Sequence, residues 1–408
     1  MKNAFFTGTE SLVKRLKKDA VPSIFPWKEE CFSSKERTRR QLKRHAARDE
    51  MQIDSLSDSD TNDGFDISDV GNEIYIAEKI ESSLNNGMDI LEPVTPKLFD
   101  ETGTQTQSWP SLCVEKFEND PAGMMFYTGL HSYYDFNFVL ASLGKAAFHL
   151  NYLYYRTEQL SVENQLFLTL IKLRQHKTNF ELSRLFNISE PAVSNIWVTW
   201  INFMAKQWRE INIWPEQDLV RYFSPQDFKR QFPTTRVIID GTECPIKKPK
   251  SPIAQQSTFS TYKNRNTIKL LVGATPGGLV SFISASYGGS TSDRQICERS
   301  TLTRLCDSGD SLMADKGFNV QDLFAPSNVT INIPTFFRKK NRMTGKCVMR
   351  DRKISSKRVH IERIIGLAKT YKILKEPMNI SETKLASEIT FVCFMLCNFK
   401  KCIIPEHA

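Results

Sequence analysis

No stretch of this 408-residue chain approaches the ~20 consecutive apolar residues that a membrane-spanning helix requires, so no helical span and no membrane partner are expected. Paired CxxC spacing is missing as well. The nine cysteines are an odd number and suggest no disulfide framework. No signal peptide is read ahead of them, which points to a reducing intracellular compartment. Cys393, Cys397 and Cys402 fall close together, but inside the apolar run ITFVCFMLCNF and with no matching histidine pair. They read as packed core thiols rather than metal ligands. Apolar periodicity is weak over the first hundred or so residues, and a segment that cannot bury a core is expected to be disordered.

What the chain does carry is charge, unevenly placed. The formal charge is +9 and the pI near 9.0, a balance that suits a polyanionic partner. Residues 49–82 hold eleven acids and one base, whereas residues 338–358 hold ten bases and one acid. Residues 31–120 therefore read as a disordered linker, basic and then acidic. Its basic run KERTRRQLKRHAAR, Lys35 to Arg48, is a candidate nuclear localisation signal, so the nucleus is the expected location.

Ordered structure is expected from near Phe126, where FYTGLHSYYDFNFVLASLG has the aromatic density of a packed helical segment. In SVENQLFLTLIKLRQ, residues 161–175, the apolar positions Leu166, Leu170, Ile171 and Leu173 fall near helical spacing. TNFELSRLF and EPAVSNIWVTWINFMAK follow, separated by Asn187, Ile188 and Ser189. The Ser189 hydroxyl can cap the third helix, and Pro191 fits its first turn, where amide hydrogens lack internal partners. Three helices with a short polar turn define an all-α helix-turn-helix domain over 121–215. Its third helix is almost uncharged, offering Ser194, Asn195, Thr199 and Asn202 as polar groups. Ser194 and Asn195 are the candidate DNA contacts, and a bundle that merely packs on the next domain is the competing reading.

From Arg236 the pattern changes to short β-branched runs between turn signals, so residues 230–402 predict an α/β domain. RVII reads as a buried strand that ends at Asp240, with Gly241 and Thr242 turning the chain so that the aspartate sits at the strand's exit. TIKLLVGAT and LVSFISASYG read as a hairpin around Pro276, Gly277 and Gly278. Asp293 arrives from a Gly- and Ser-rich loop at a helix start. Ser311 to Ala314 reads as a strand leading into Asp315, and VTINIP as a fifth. KRVHIERIIGLAK places Glu362 on a helix, with Arg358 four residues before it and Lys369 seven after, along one stripe. Hard divalent cations prefer oxygen ligands, and two of them about 4 Å apart can clamp the attacking and leaving oxygens of a phosphodiester. Asp240, Asp293, Asp315 and Glu362 are the candidate ligands. Asp307, Asp310 and Asp322 read instead as turn or cap residues. In the basic segment the bases, Arg338, Lys339 and Lys340 among them, would contact phosphate without reading sequence, as would Arg358 and Lys369. Lys316, Tyr262, Lys263 and Arg265 are weaker candidates of the same kind.

IDGTEC, GSTSDRQI, LMADKGF and KRVHIERIIGLAK resemble, in order, the four blocks of eukaryotic transposases related to Harbinger and to the bacterial IS5 group, members of the DDE superfamily. TNFELSRLFNISEPAVSNIWVTW resembles their helix-turn-helix, so the resemblance spans roughly residues 120–400. It implies an RNase H-like mixed sheet flanked by helices, and a catalytic triad of Asp240, Asp315 and Glu362 with Asp293 as a further metal ligand. It also implies Mg²⁺ or Mn²⁺, two ions in number, and cleavage and transfer of DNA strands at element ends within a homodimer or larger synaptic assembly. LKKDAVPSIF, Leu16 to Phe25, resembles the tail of a THAP zinc finger whose ligands have no counterpart upstream. Residues 1–30 therefore read as a remnant, and end recognition would fall to the helix-turn-helix or to a second DNA-binding protein. The alternative reading is a domesticated DNA-binding descendant without transposition.

Overall fold

A computed structural model describes residues 112–152, 154, 159–335, 344–402 and 404. The expected THAP-like remnant and the linker as far as residue 111 lie outside the described residues. The packed body already includes Leu112, ahead of the expected boundary at 121. The Leu112 amide donates to the Leu185 carbonyl at 3.0 Å, and the Val114 amide to Asn164 Oδ1 at 2.9 Å.

Three helices carry the helix-turn-helix: α1 Val162–Gln175, α2 Asn179–Phe186 and α3 Glu190–Arg209. Each begins on a hydroxyl that satisfies an otherwise unpaired amide of the first turn. Ser161 accepts from Asn164, Thr178 forms a capping box with Glu181, and Ser189 accepts from the Ala192 amide at 3.3 Å, with Pro191 in the first turn as expected. His176 (φ 53°) and Asn187 (φ 51°) end α1 and α2 in the left-handed conformation, which turns the chain sharply between helices. Trp200 and Trp208 of α3 are fully buried, and their indole N–H groups donate to Gln165 and to Ser142, each at 3.0 Å. A tryptophan can be buried at this depth because its one donor is satisfied.

Seven strands form one mixed sheet: β1 Thr235–Pro245, β2 Phe259–Ser260, β3 Arg265–Ala274, β4 Val280–Ile283, β5 Tyr287–Gly288, β6 Ser311–Met313 and β7 Thr330–Asn332. The order is β2-β3-β1-β6-β7, with β4 and β5 also paired to β3. β1 runs antiparallel to β3 and parallel to β6, and β6 runs parallel to β7. The flanking helices used below are α4 Asp293–Arg299, α5 Gly345–Ala368 and α6 Ala386–Met395. This is the α/β class expected, a mixed sheet between helices preceded by an all-α segment. Alternation along β1 and β3 sorts the two faces. Ile238, Cys244, Ile268, Leu270 and Val272 share one buried cluster with Ile354, Ile361 and Ile364 of α5. Val237, Ile239 and Leu271 pack on the other face against Ile296 and Cys297 of α4. The first cluster also takes in Phe167, Trp200 and Trp208, so the expected segments 121–215 and 230–402 contribute to a single core.

Four local expectations change. β1 continues past Asp240 to Pro245, because Gly241 and Thr242 stay paired with Leu271 and Leu270 rather than turning the chain. The hairpin forms, with Gly278 at φ 96° closing a three-residue loop, but its second limb is divided into β4 and β5. The Glu362 helix begins at Gly345, capped by Thr344, so the later part of the basic segment is helical. Cys393 and Cys397 are buried as expected, whereas Cys402 is exposed.

A buried ion network ties α1 to the chain that follows α5. Glu382, only 4% exposed, accepts from His176 Nε2 at 3.0 Å and lies 3.5 Å from Lys172 Nζ, while His176 Nδ1 meets Glu376 at 3.0 Å. Burial alone would push the His176 pKa down, but Glu382 and Glu376 outweigh it and raise the pKa. Burial would likewise raise Glu382, yet His176, the Asn379 amide and Lys172 hold it at about 2. Glu382→Ala leaves the buried Lys172 without its ion-pair partner and His176 with Glu376 alone, and should cost about 3–5 kcal/mol in denaturant unfolding. The His176 contribution is complete below its ordinary value and fades as pH rises through the raised one. Unfolding free energy should therefore fall over that window in the wild-type chain, and the fall should shrink in His176→Gln.

Candidate active site

The site follows from strand register. Val237 pairs with Leu312 and Ile238 with Met313 in the parallel β1–β6 ladder. Two residues further along each chain stand Asp240 and Asp315, on the face that carries Ile238 and Met313. That face is covered by α5, which brings Glu362 across immediately after the buried residue Ile361. Three elements distant in sequence thus deliver three carboxylates to one place.

Local bonds hold each carboxylate. The Gly241 amide donates to Asp240 Oδ1 at 2.8 Å, and the Lys316 amide to Asp315 Oδ1 at 2.7 Å. Arg358 bridges the other two carboxylates, donating from Nη1 to Asp315 at 2.7 Å and from Nη2 to Glu362 at 2.9 Å. Burial pushes the Asp240 carboxyl up to about 6; Arg358 and the Gly241 amide pull it down, and Asp315 and Glu362 push it further up. Gathering like charges about a half-buried carboxyl leaves it needing a cation. An all-oxygen donor set of this kind fits Mg²⁺ or Mn²⁺. Among the described residues no three His, Cys, Asp or Glu side chains stand close enough together to hold a metal as they are, and the guanidinium of Arg358 stands between Asp315 and Glu362.

Asp293 is not brought to this cluster. A Cβ placed on Gly241 would run into Asp293 Oδ1, so Asp293 sits on the Gly241 face of β1, opposite the Asp240 face. There it pairs with Lys269 at 3.0 Å, beside Glu243, which accepts from Thr267. Lys269 was not singled out from sequence. Its signal was positional, since the β1–β3 pairing sets it opposite Glu243, two residues from Gly241 along the same face.

The candidate DNA contacts divide in the same way. Asn195 is fully buried, and its Oδ1 accepts from the Tyr154 amide, so it serves packing rather than base reading. Ser194 is partly exposed and Asn202 exposed. Arg338, Lys339 and Lys340 lie outside the described residues. Of the bases on α5, Lys346, Arg350, Arg352 and Lys353 are exposed, whereas Lys357 is bonded to Asp227 at 3.0 Å and Arg358 to the carboxylates. Lys369 caps the end of α5, half-buried. Tyr262, Lys263 and Arg265 are exposed, with the Lys263 ammonium over the Tyr262 ring. Asp310 is buried and accepts from Gln217 and the Asp307 amide, Asp307 pairs with Arg236, and Asp322 pairs with Arg294, so all three aspartates are structural. Burial pushes the Cys244, Cys297, Cys306 and Cys397 thiols up to about 12, which leaves no thiolate nucleophile among them near neutral pH.

Residues 239–398 match the family described as DDE superfamily endonuclease, and residues 158–210 match the helix-turn-helix of DDE superfamily endonuclease. No curated protein matches the chain. The two matches, in the order expected, support a transposase-like nuclease of the DDE superfamily with DNA as its partner.

A carboxyl raised from 3.8 to about 6 favours the folded state when protonated, so stability is lost as pH rises between those values. Asp240→Asn mimics the protonated form. In EDTA at pH 7.5 it should raise unfolding free energy by about 1–2 kcal/mol, the full shift discounted for solvent screening, and the gain should vanish near pH 4.

Proposed function

We propose that this chain is a metal-dependent DNA endonuclease and strand transferase of the Harbinger type, acting in the nucleus, with Asp240, Asp315 and Glu362 as its metal ligands. The observation that carries this reading is the convergence of three carboxylates, from a strand, its parallel neighbour and a covering helix, on one sheet face inside the segment similar to DDE superfamily endonucleases. When bound, two Mg²⁺ or Mn²⁺ ions would supply Lewis-acid activation of the scissile phosphate and of the attacking water or 3′ hydroxyl. The chain's own groups do the rest. Amides of Gly241 and Lys316 fix the carboxylate rotamers. Lys346, Arg350, Arg352 and Lys353 offer phosphate contacts along the helix that carries Glu362. Joining two element ends would take two or more copies of the chain, and the buried Asn195 leaves end recognition to other groups or to a second DNA-binding protein.

Nicking of supercoiled plasmid in Mg²⁺ or Mn²⁺ tests the reading. The wild-type chain should nick, while Asp240→Ala, Glu362→Ala and EDTA should each reduce nicking to background. Equal nicking by all three proteins, or none by any, would sink the assignment. Asp293→Asn, on the opposite face, should lose no more than about tenfold in rate, or 1.4 kcal/mol. Loss to background would return Asp293 to the ligand set.

Binding to a random duplex should weaken with salt, and the slope of log K against log salt should shrink by about 0.9 for each phosphate contact removed from Lys346, Arg350, Arg352 or Lys353 by mutation to Gln. Unchanged slopes would place the DNA path elsewhere.

A further inference from the structure

Arg358 does more in this structure than offer positive charge near a nuclease site. Its two terminal nitrogens bond to different carboxylates, Asp315 and Glu362, rather than gripping one. The exposures run in an unusual direction. Asp315 and Glu362 are 49% and 51% exposed, while the guanidinium side chain between them is only 13% exposed, so the cation lies beneath the anions that face solvent. Its Nε is buried without any acceptor. A buried donor left unpaired weakens the arrangement that holds it. Because a guanidinium keeps its charge throughout the accessible pH range, it cannot leave by deprotonation and can leave only by moving.

We propose that Arg358 is the resident counter-cation of the catalytic carboxylates, and that a divalent metal binds only by displacing its guanidinium from between Asp315 and Glu362. The inference rests on the reading of those carboxylates as metal ligands. Two cations compete for one set of oxygens. With the guanidinium in place, Asp315 and Glu362 each have an oxygen committed to it, and the cluster's negative charge is partly neutralised. The metal-competent arrangement is then a minority state, and apparent metal affinity falls by its population. A DNA phosphate is an equally good acceptor for a guanidinium, so duplex binding would favour the open arrangement and couple metal binding to the presence of substrate. Off DNA, the carboxylates would still take metal, but more weakly.

The test is Mn²⁺ binding to the full chain without DNA, read as loss of the free-ion EPR signal. Arg358→Gln should bind Mn²⁺ about tenfold more tightly than the wild-type chain, within the usual range for coupled sites. Equal or weaker binding overturns the proposal. Asp240→Asn separates the two readings. If wild-type binding depends on Asp240 and Arg358→Gln is no tighter, only the counter-cation role falls. If neither the wild-type chain nor Arg358→Gln takes up Mn²⁺, the metal site and this inference fall together. Should Arg358→Gln fail to fold, the wild-type chain still decides. Mg²⁺ should increase modification of Arg358 by an arginine-selective dicarbonyl reagent, mapped by peptide mass spectrometry, and leave Arg209 unchanged. Unchanged or reduced labelling of Arg358 overturns the proposal.

Discussion

The parallel pairing of β1 with β6 is the constraint on which the rest depends. Two ladder pairs, Val237 with Leu312 and Ile238 with Met313, are enough to set Asp240 level with Asp315 and to aim both at the face covered by α5. A slip of one residue would send one carboxylate into the layer of Ile296 and Cys297 and bring an apolar side chain to the site. The hydrophobic sorting that stabilises the sheet therefore also fixes the geometry of the site. Val237, Ile239 and Leu271 on one face, and Ile238, Leu270 and Val272 on the other, leave the register no alternative that keeps both faces buried.

The same alternation explains what could be read from the residues and what could not. The helix-turn-helix was readable because each helix announces itself locally: Ser161, Thr178 and Ser189 each lie immediately before a helix, and Asn187 occupies the left-handed position between the second and third helices. The i, i+4 spacing of Arg358 and Glu362 was readable too, and the structure joins them. Asp293 lies apart from the other three carboxylates for a physical reason. A motif gives the residue type and its order in the chain, but the face of a sheet depends on parity relative to a partner strand, and Gly241 intervenes between Asp240 and the surface where Asp293 rests. Asn195 departs from the expected surface position in the opposite sense. A polar residue on an otherwise apolar helix invites a surface role, yet it is fully buried and bonded to the Tyr154 amide.

Burial of α3 also bears on how the two segments cooperate. Trp200 and Trp208 share a core with Ile238 and Val272 of the sheet, and the Lys172, His176 and Glu382 network lies nearly out of water. An arrangement held by a continuous core and by buried ion pairs resists relative motion far more than one held by a linker. Whatever the helix-turn-helix touches is thereby held at a set position relative to the carboxylates.

α5 concentrates the opposing demands. Ile354, Ile361 and Ile364 anchor one stripe in the core, Lys357 is tied to Asp227, Glu362 completes the carboxylate cluster, and Lys346, Arg350, Arg352 and Lys353 face solvent. The mean hydropathy of such a helix says little, because apolar anchors, acid and bases occupy different stripes of one cylinder. Arg358 lies where these stripes meet, with the carboxylates on one side and the exposed bases further along the helix. Placing a permanent cation there offsets the mutual repulsion of three crowded carboxylates.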